Sequence, residues 1–124
     1  MPCKILDKLY TASAWETPIG ETVDVRDLID GAGNDVKKVA EKILRVIKLL
    51  KKNHAVTIQC SAGISRSNAI AIAVVSLVKG KSFEEAIRLV RERCKRAFPN
   101  AGILSDVWTA LIYIQKTRSK NLKS

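Results

Sequence analysis

AVTIQC at 55–60, SAGISRSN at 61–68 and AIAIAVVSLV at 69–78 decide how this chain folds. Ala55-Val56-Thr57-Ile58-Gln59 is a short run rich in β-branched residues, the pattern of a strand buried on both faces. Residues 69–78 are apolar nearly all round, so Arg66 to about Val78 is predicted to be a central, buried helix. Between strand and helix lies a loop with Cys60 at its start, Gly63 in its middle and Arg66 at its end.

That loop has a physical logic. To wrap from Cys60 to Arg66 the backbone must turn tightly, and Gly63 allows the dihedral or close approach this needs. The N–H groups of Ser61, Ala62, Gly63, Ile64, Ser65 and Arg66 then point inward as an anion nest, reinforced by the helix N-terminus. A phosphate dianion fits there, and the same field favours the thiolate of Cys60. A thiolate in that place can attack phosphorus in line and form a cysteinyl-phosphate. Arg66 offers a planar fork for two phosphate oxygens, which lysine could not match. Ser67 can donate to the Cys60 sulfur and ease its departure when water cleaves the intermediate. Ser65 and Asn68 are placed to stiffen the loop.

Upstream, Ile5 to Tyr10 alternates as a short strand, and Thr17-Pro18-Ile19-Gly20 reads as a turn. Thr22 to Val25 is a second short β-type stretch, and Gly31 to Asp35 is a loop ending in an N-cap. Val36, Val39, Ala40, Ile43, Val46, Ile47 and Leu50 recur at helical spacing. Downstream, Gly80 stops the buried helix, and Ser82-Phe83-Glu84-Glu85 is a capping box opening a helix through Cys94. Pro99-Asn100-Ala101-Gly102 breaks the chain before a last helix with Ile103, Val107, Trp108, Leu111 and Ile112 toward the core. The fold class is therefore α/β, a small central, partly parallel sheet flanked by helices. One domain is expected over residues 1–117, with 118–124 a basic, frayed tail. In such sheets a ligand sits at the carboxyl ends of the strands, where Cys60 lies.

With 124 residues, 47% hydrophobic and 27% charged, the chain has the composition of a soluble globular domain. Its longest apolar run is too short to span a bilayer, and MPCKILDKLY lacks the core of a signal peptide, so a cytoplasmic protein is expected. The net charge is +10, and Lys37, Lys38, Lys42, Arg45, Lys48, Lys51 and Lys52 fall between the apolar positions of one helical pattern, as on a solvated face. Aromatic residues are not interleaved with that charge, which argues against nucleic-acid binding. Cys3, Cys60 and Cys94 are odd in number and far apart, with one histidine in the chain, which argues against a disulfide framework and against a metal site. Cys94 reads instead as a small buried hydrophobe.

Gln59 to Asn68, QCSAGISRSN, resembles the signature loop of the dual-specificity branch of the protein tyrosine phosphatases, which reads H-C-x-x-G-x-x-R-S. AIAVVSLVKGKSFEEAIRLVRERC resembles the helix, turn and following helix of that family, and Phe98 to Gly102 its turn before the last helix. The likeness covers about Val36 to Ile114 and is poor over the first 35 residues, which are short by family standards. It implies the family's fold, Cys60 as nucleophile, Arg66 as phosphate binder and Ser67 as the hydroxyl serving hydrolysis of the intermediate. It implies no cofactor or metal, and phosphorylated protein or peptide substrates carrying phosphotyrosine and phosphoserine or phosphothreonine. A monomer is the default.

Two positions depart from the family pattern. Gln59 stands where the family has a histidine that orders the loop, and glutamine can still hydrogen-bond. The general acid is also open, among Asp24, Asp27, Asp30 and Asp35. Family strands entering the acid loop read apolar-x-apolar-x-Asp, as Val23-Asp24-Val25-Arg26-Asp27 does, which selects Asp27. Asp30 is the second candidate, and the third reading is that the acid loop is deleted. The rival functions are a phosphate-binding module without turnover and a rhodanese-type sulfurtransferase; the latter usually places its arginine at another spacing.

Overall fold

The computed structural model describes residues 1–123, with side chains through Ser119. Its elements in order are β1 (Cys3–Leu6), β2 (Leu9–Ser13), β3 (Glu21–Asp24), α1 (Val36–Lys51), β4 (Val56–Cys60), α2 (Arg66–Lys79), α3 (Phe83–Arg93) and α4 (Ala101–Lys123). The sheet order is β1-β2-β4-β3. β4 runs parallel to both β2 and β3, and β1 is antiparallel to β2. This is the mixed, partly parallel α/β sheet that the element order implies.

The single strand expected over residues 5–10 is a hairpin instead. Lys8 sits at φ 66°, which turns the chain between Leu6 and Leu9. A loose alternation cannot reveal such a break, because lysine carries no turn signal. Cys3 and Cys94 also differ from expectation, because they form a disulfide with a Cα–Cα distance of 5.4 Å. α3 packs against β1, so the first residue of that strand meets the C-cap of the helix. Spacing along the chain cannot show that meeting.

α2 is the centre of the molecule. Every residue from Ser67 to Val75 is buried, and the helix packs against α1, α3, α4, β2 and β4. Gly80 at φ 62° ends it in the left-handed conformation, and Ser82 and Glu85 form the capping box that opens α3. α1 begins at its Asp35 cap and buries Val39, Ala40, Ile43, Val46 and Ile47. In α4 the buried positions are Ile103, Val107, Ala110, Leu111 and Ile114. Ile103, Val107 and Leu111 are core positions as expected, whereas Trp108 is half-exposed and meets Phe83 edge to face at 5.2 Å, and Ala110 and Ile114 complete the stripe in place of Trp108 and Ile112. Residues 118–123, read from sequence as tail, continue α4; Ser124 lies outside the described residues.

Alternation in β4 sends Thr57 and Gln59 to the face opposite Val56, Ile58 and Cys60. There they hold the β2–β3 connection. The Thr57 hydroxyl accepts from Ile19 N–H at 2.8 Å and donates to Ile19 O at 2.7 Å. Gln59 Nε2 donates to Ser13 O and Glu16 O at 3.1 and 3.0 Å. Gln59 thereby ties β4 to the segment that runs beside the 61–66 loop, where Ala14 N–H donates to Ser61 O.

Candidate active site

Cys60 ends β4, 2% exposed, with its Sγ 3.2 Å from the Oγ of fully buried Ser67. The loop after it is shaped by Gly63, at φ +70°. A Cβ there would lie 2.7 Å from Ser13 N and 3.0 Å from Ala12 C, because the loop rests on the end of β2. Glycine is required on both counts. Buried Asn68 holds the same turn from below, donating to Gly63 O at 3.1 Å and Ile64 O at 3.0 Å while accepting from Thr11 Oγ1 at 2.8 Å. With those carbonyls held back, the N–H groups of residues 61–66 find no protein acceptor among the described residues.

α2 starts at Ser65, whose hydroxyl does not cap it, and no acidic residue lies in its first turn. The positive end of the helix dipole therefore faces the loop with no side-chain cap on its N–H groups. The Ser65 hydroxyl works sideways instead. It donates to Asp30 Oδ1 at 2.5 Å and accepts from Asn100 N–H at 2.8 Å. Arg66 Nη1 donates to Arg26 O and Leu28 O at 2.8 and 3.1 Å, and Nη2 to Ser61 Oγ at 3.0 Å. Its Nε–H and a second Nη2 hydrogen have no protein acceptor among the described residues, so the fork is positioned while two donors stay free.

A cavity of about 320 Å³ opens above this loop, lined by Cys60, Ser61, Ala62, Ile64, Ser65 and Arg66 together with Asp30, Phe98 and Asn100. The structure thus gathers the loop residues expected from sequence around one cavity, with Gly63 and Ser67 buried beneath.

Asp27 is not among them. β3 ends at Asp24, and a turn closed by Leu28 N–H to Val25 O at 3.1 Å swings Asp27 toward α1. There its carboxylate pairs with Lys42 at 3.1 Å and Lys38 at 3.4 Å. Burial opposes its ionisation, but Lys42 and Lys38 outweigh that and hold the carboxyl below its ordinary value. A group held ionised is poorly suited to donate a proton. The apolar-x-apolar-x-Asp pattern selected this residue on spacing alone, and the turn removes it from the cavity.

Asp30 lines the cavity on a loop that is itself well braced. Asn34 accepts from Ile29 N–H at 2.7 Å and donates to Ile29 O and Gly31 O, and its own N–H reaches Asp106 of α4 at 2.9 Å. Sequence reading missed Phe98 and Asn100 as site residues, since Phe98-Pro99-Asn100 looked like a turn only. Outside that lining, Glu16 gathers Arg96, Ser13 N–H and the N-terminal ammonium around one carboxylate. Burial raises the Glu16 carboxyl, but these donors prevail and lower it to about 2.

The family model for the dual specificity phosphatase catalytic domain matches residues 23–111. The chain belongs to the dual-specificity phosphatase family. A Dictyostelium discoideum protein named "Probable dual specificity protein phosphatase" is 30% identical over 92 residues, covering 74% of this chain and 23% of that protein. Dual specificity protein phosphatase 1B of Arabidopsis thaliana is 29% identical over 84 residues, 67% of this chain and 50% of that protein. The chain therefore spans half or less of these two relatives. Human DUSP28 has the same fold, with a TM-score of 0.80 at 17% identity over 93% of this chain and 99% of that one. No helix among the described residues is long and apolar enough to cross a membrane, and none of their His, Cys, Asp and Glu side chains form a metal-binding group.

Proposed function

We propose that this protein hydrolyses phosphate monoesters on phosphorylated proteins or peptides through a cysteinyl-phosphate intermediate. The observation that carries the reading is the set of unpartnered N–H groups at 61–66, closing around buried Cys60 with Arg66 fixed at the rim. Those donors bind the phosphate and stabilise charge on the transferring group. The Cys60 sulfur attacks phosphorus while the ester oxygen leaves, taking a proton from Asp30. Water then attacks phosphorus, Asp30 takes its proton, and Ser67 donates to the departing thiolate.

The choice of Asp30 over Asp27 is supported by its place on the cavity wall, away from the lysines of α1 that pair with Asp27. Ser61, Ala62, Gly63, Ile64, Ser65 and Arg66 supply the phosphate cradle. A cytoplasmic location belongs to this reading, since a reducing compartment keeps Cys60 a free thiol. It would also expose Cys3–Cys94 to reduction.

An aryl phosphate assay tests the proposal. Native protein should turn over and Cys60→Ser should not, while both bind an oxyanion such as tungstate. Near-native turnover by Cys60→Ser would overturn the covalent route. Tungstate binding by a native protein without turnover would leave a phosphate-binding module.

A further inference from the structure

The geometry points to Phe98 and Ile64 as an apolar wall that selects phosphotyrosine over phosphoserine and phosphothreonine. This inference rests on the phosphatase reading and sharpens its substrate. Both side chains line the cavity over Cys60, yet Phe98 is 71% exposed and Ile64 41% exposed. Such apolar surface at the mouth of a polar cradle marks a contact for ligand, because water gains nothing from it.

The wall is built to stay in place. Phe98 N–H donates to Ile64 O at 3.0 Å, which sets the two residues side by side. Two residues on, Asn100 N–H donates to Ser65 Oγ at 2.8 Å, and Pro99 between them restricts the backbone. The Arg91 guanidinium lies over the Phe98 ring at 5.6 Å and steadies it. The segment is thus pinned to the catalytic loop at two points, so little order has to be gained on binding.

With phosphate in the cradle, a phosphotyrosyl ring extends from the ester oxygen toward the peptide backbone through the cavity that Phe98 and Ile64 line. Ring-to-ring contact with Phe98 and packing on Ile64 then favour it. A phosphoseryl or phosphothreonyl group has no ring to offer and brings its backbone down against the same apolar surface.

Matched peptides differing only in phosphotyrosine or phosphothreonine test this, with native protein, Phe98→Ala and Phe98→Leu. Phe98 is exposed and its tie is a backbone one, so both variants keep the fold. Native kcat/KM should favour the phosphotyrosine peptide. Phe98→Ala should lower that value by about three- to tenfold and shrink the ratio of the phosphotyrosine to the phosphothreonine value at least about threefold, with Phe98→Leu between. Equal falls on both peptides, no fall on either, or a native preference for phosphothreonine would overturn the proposal. Should neither peptide be hydrolysed, the phosphatase reading fails, and affinities of Cys60→Ser protein, with and without Phe98→Ala, decide the wall alone. A phosphotyrosine preference lost with the ring supports it, and equal affinities refute it.

Discussion

At Asp27 and Asp30 the same side chain meets two environments. Asp27 is half-exposed and carries two lysine partners on α1, whereas Asp30 faces the cavity and touches a serine hydroxyl. A general acid must reach the leaving oxygen before its acidity matters, and only Asp30 is on that wall. Asp30→Asn should therefore slow hydrolysis of phenyl phosphate, a poor leaving group, by about 100-fold or more. The same variant should lose much less on p-nitrophenyl phosphate, whose leaving group needs little protonation. Asp27→Asn should stay within about twofold of native on both. Steady-state rates decide the matter, and a loss confined to Asp27→Asn would restore that residue to the role.

Among the elements, the strand, loop and helix from Val56 to Lys79 form one device. β4 delivers Cys60, Gly63 lets the loop lie on the end of β2, and α2 presents its uncapped N-terminus. Gly63→Ala must place a Cβ within 2.7 Å of Ser13 N at a positive φ. Thermal unfolding should show a loss of about 1–3 kcal/mol, with oxyanion affinity falling alongside. Unchanged tungstate binding in that variant would mean the loop does not need this path.

This device was the part most legible in sequence, because Cys60, Gly63, Arg66 and Ser67 signal through local backbone needs and a helix that follows directly. The Asp35 cap, the Ser82 capping box and the Gly80 stop were legible for the same reason. The Lys8 turn, the Cys3–Cys94 bond and the position of Phe98 depend on where distant segments meet, which no local pattern carries.

Across the whole molecule, the N-terminal segment is fastened to the C-terminal end of α3 by two links. The Cys3–Cys94 bond spans 91 residues of chain, and Glu16 pairs with Arg96 nearby. A cross-link closing so long a loop restricts the unfolded chain, and its removal should cost about 2–4 kcal/mol. Cys3→Ser, or native protein in reductant, should unfold at lower temperature while Cys60 chemistry persists. Thiol titration of the unfolded native protein without reductant should count Cys60 alone as free. Three free thiols would refute the disulfide.

If Cys60 is the nucleophile, it carries phosphate during turnover. Rapid quench of the reaction with an aryl phosphate, followed by mass spectrometry of the peptide containing Cys60, tests it most directly. The mechanism predicts a phosphate adduct on Cys60 that accumulates further in Ser67→Ala, whose thiolate leaves without its 3.2 Å hydrogen-bond partner. Sustained turnover with no adduct on Cys60 in either protein would contradict it.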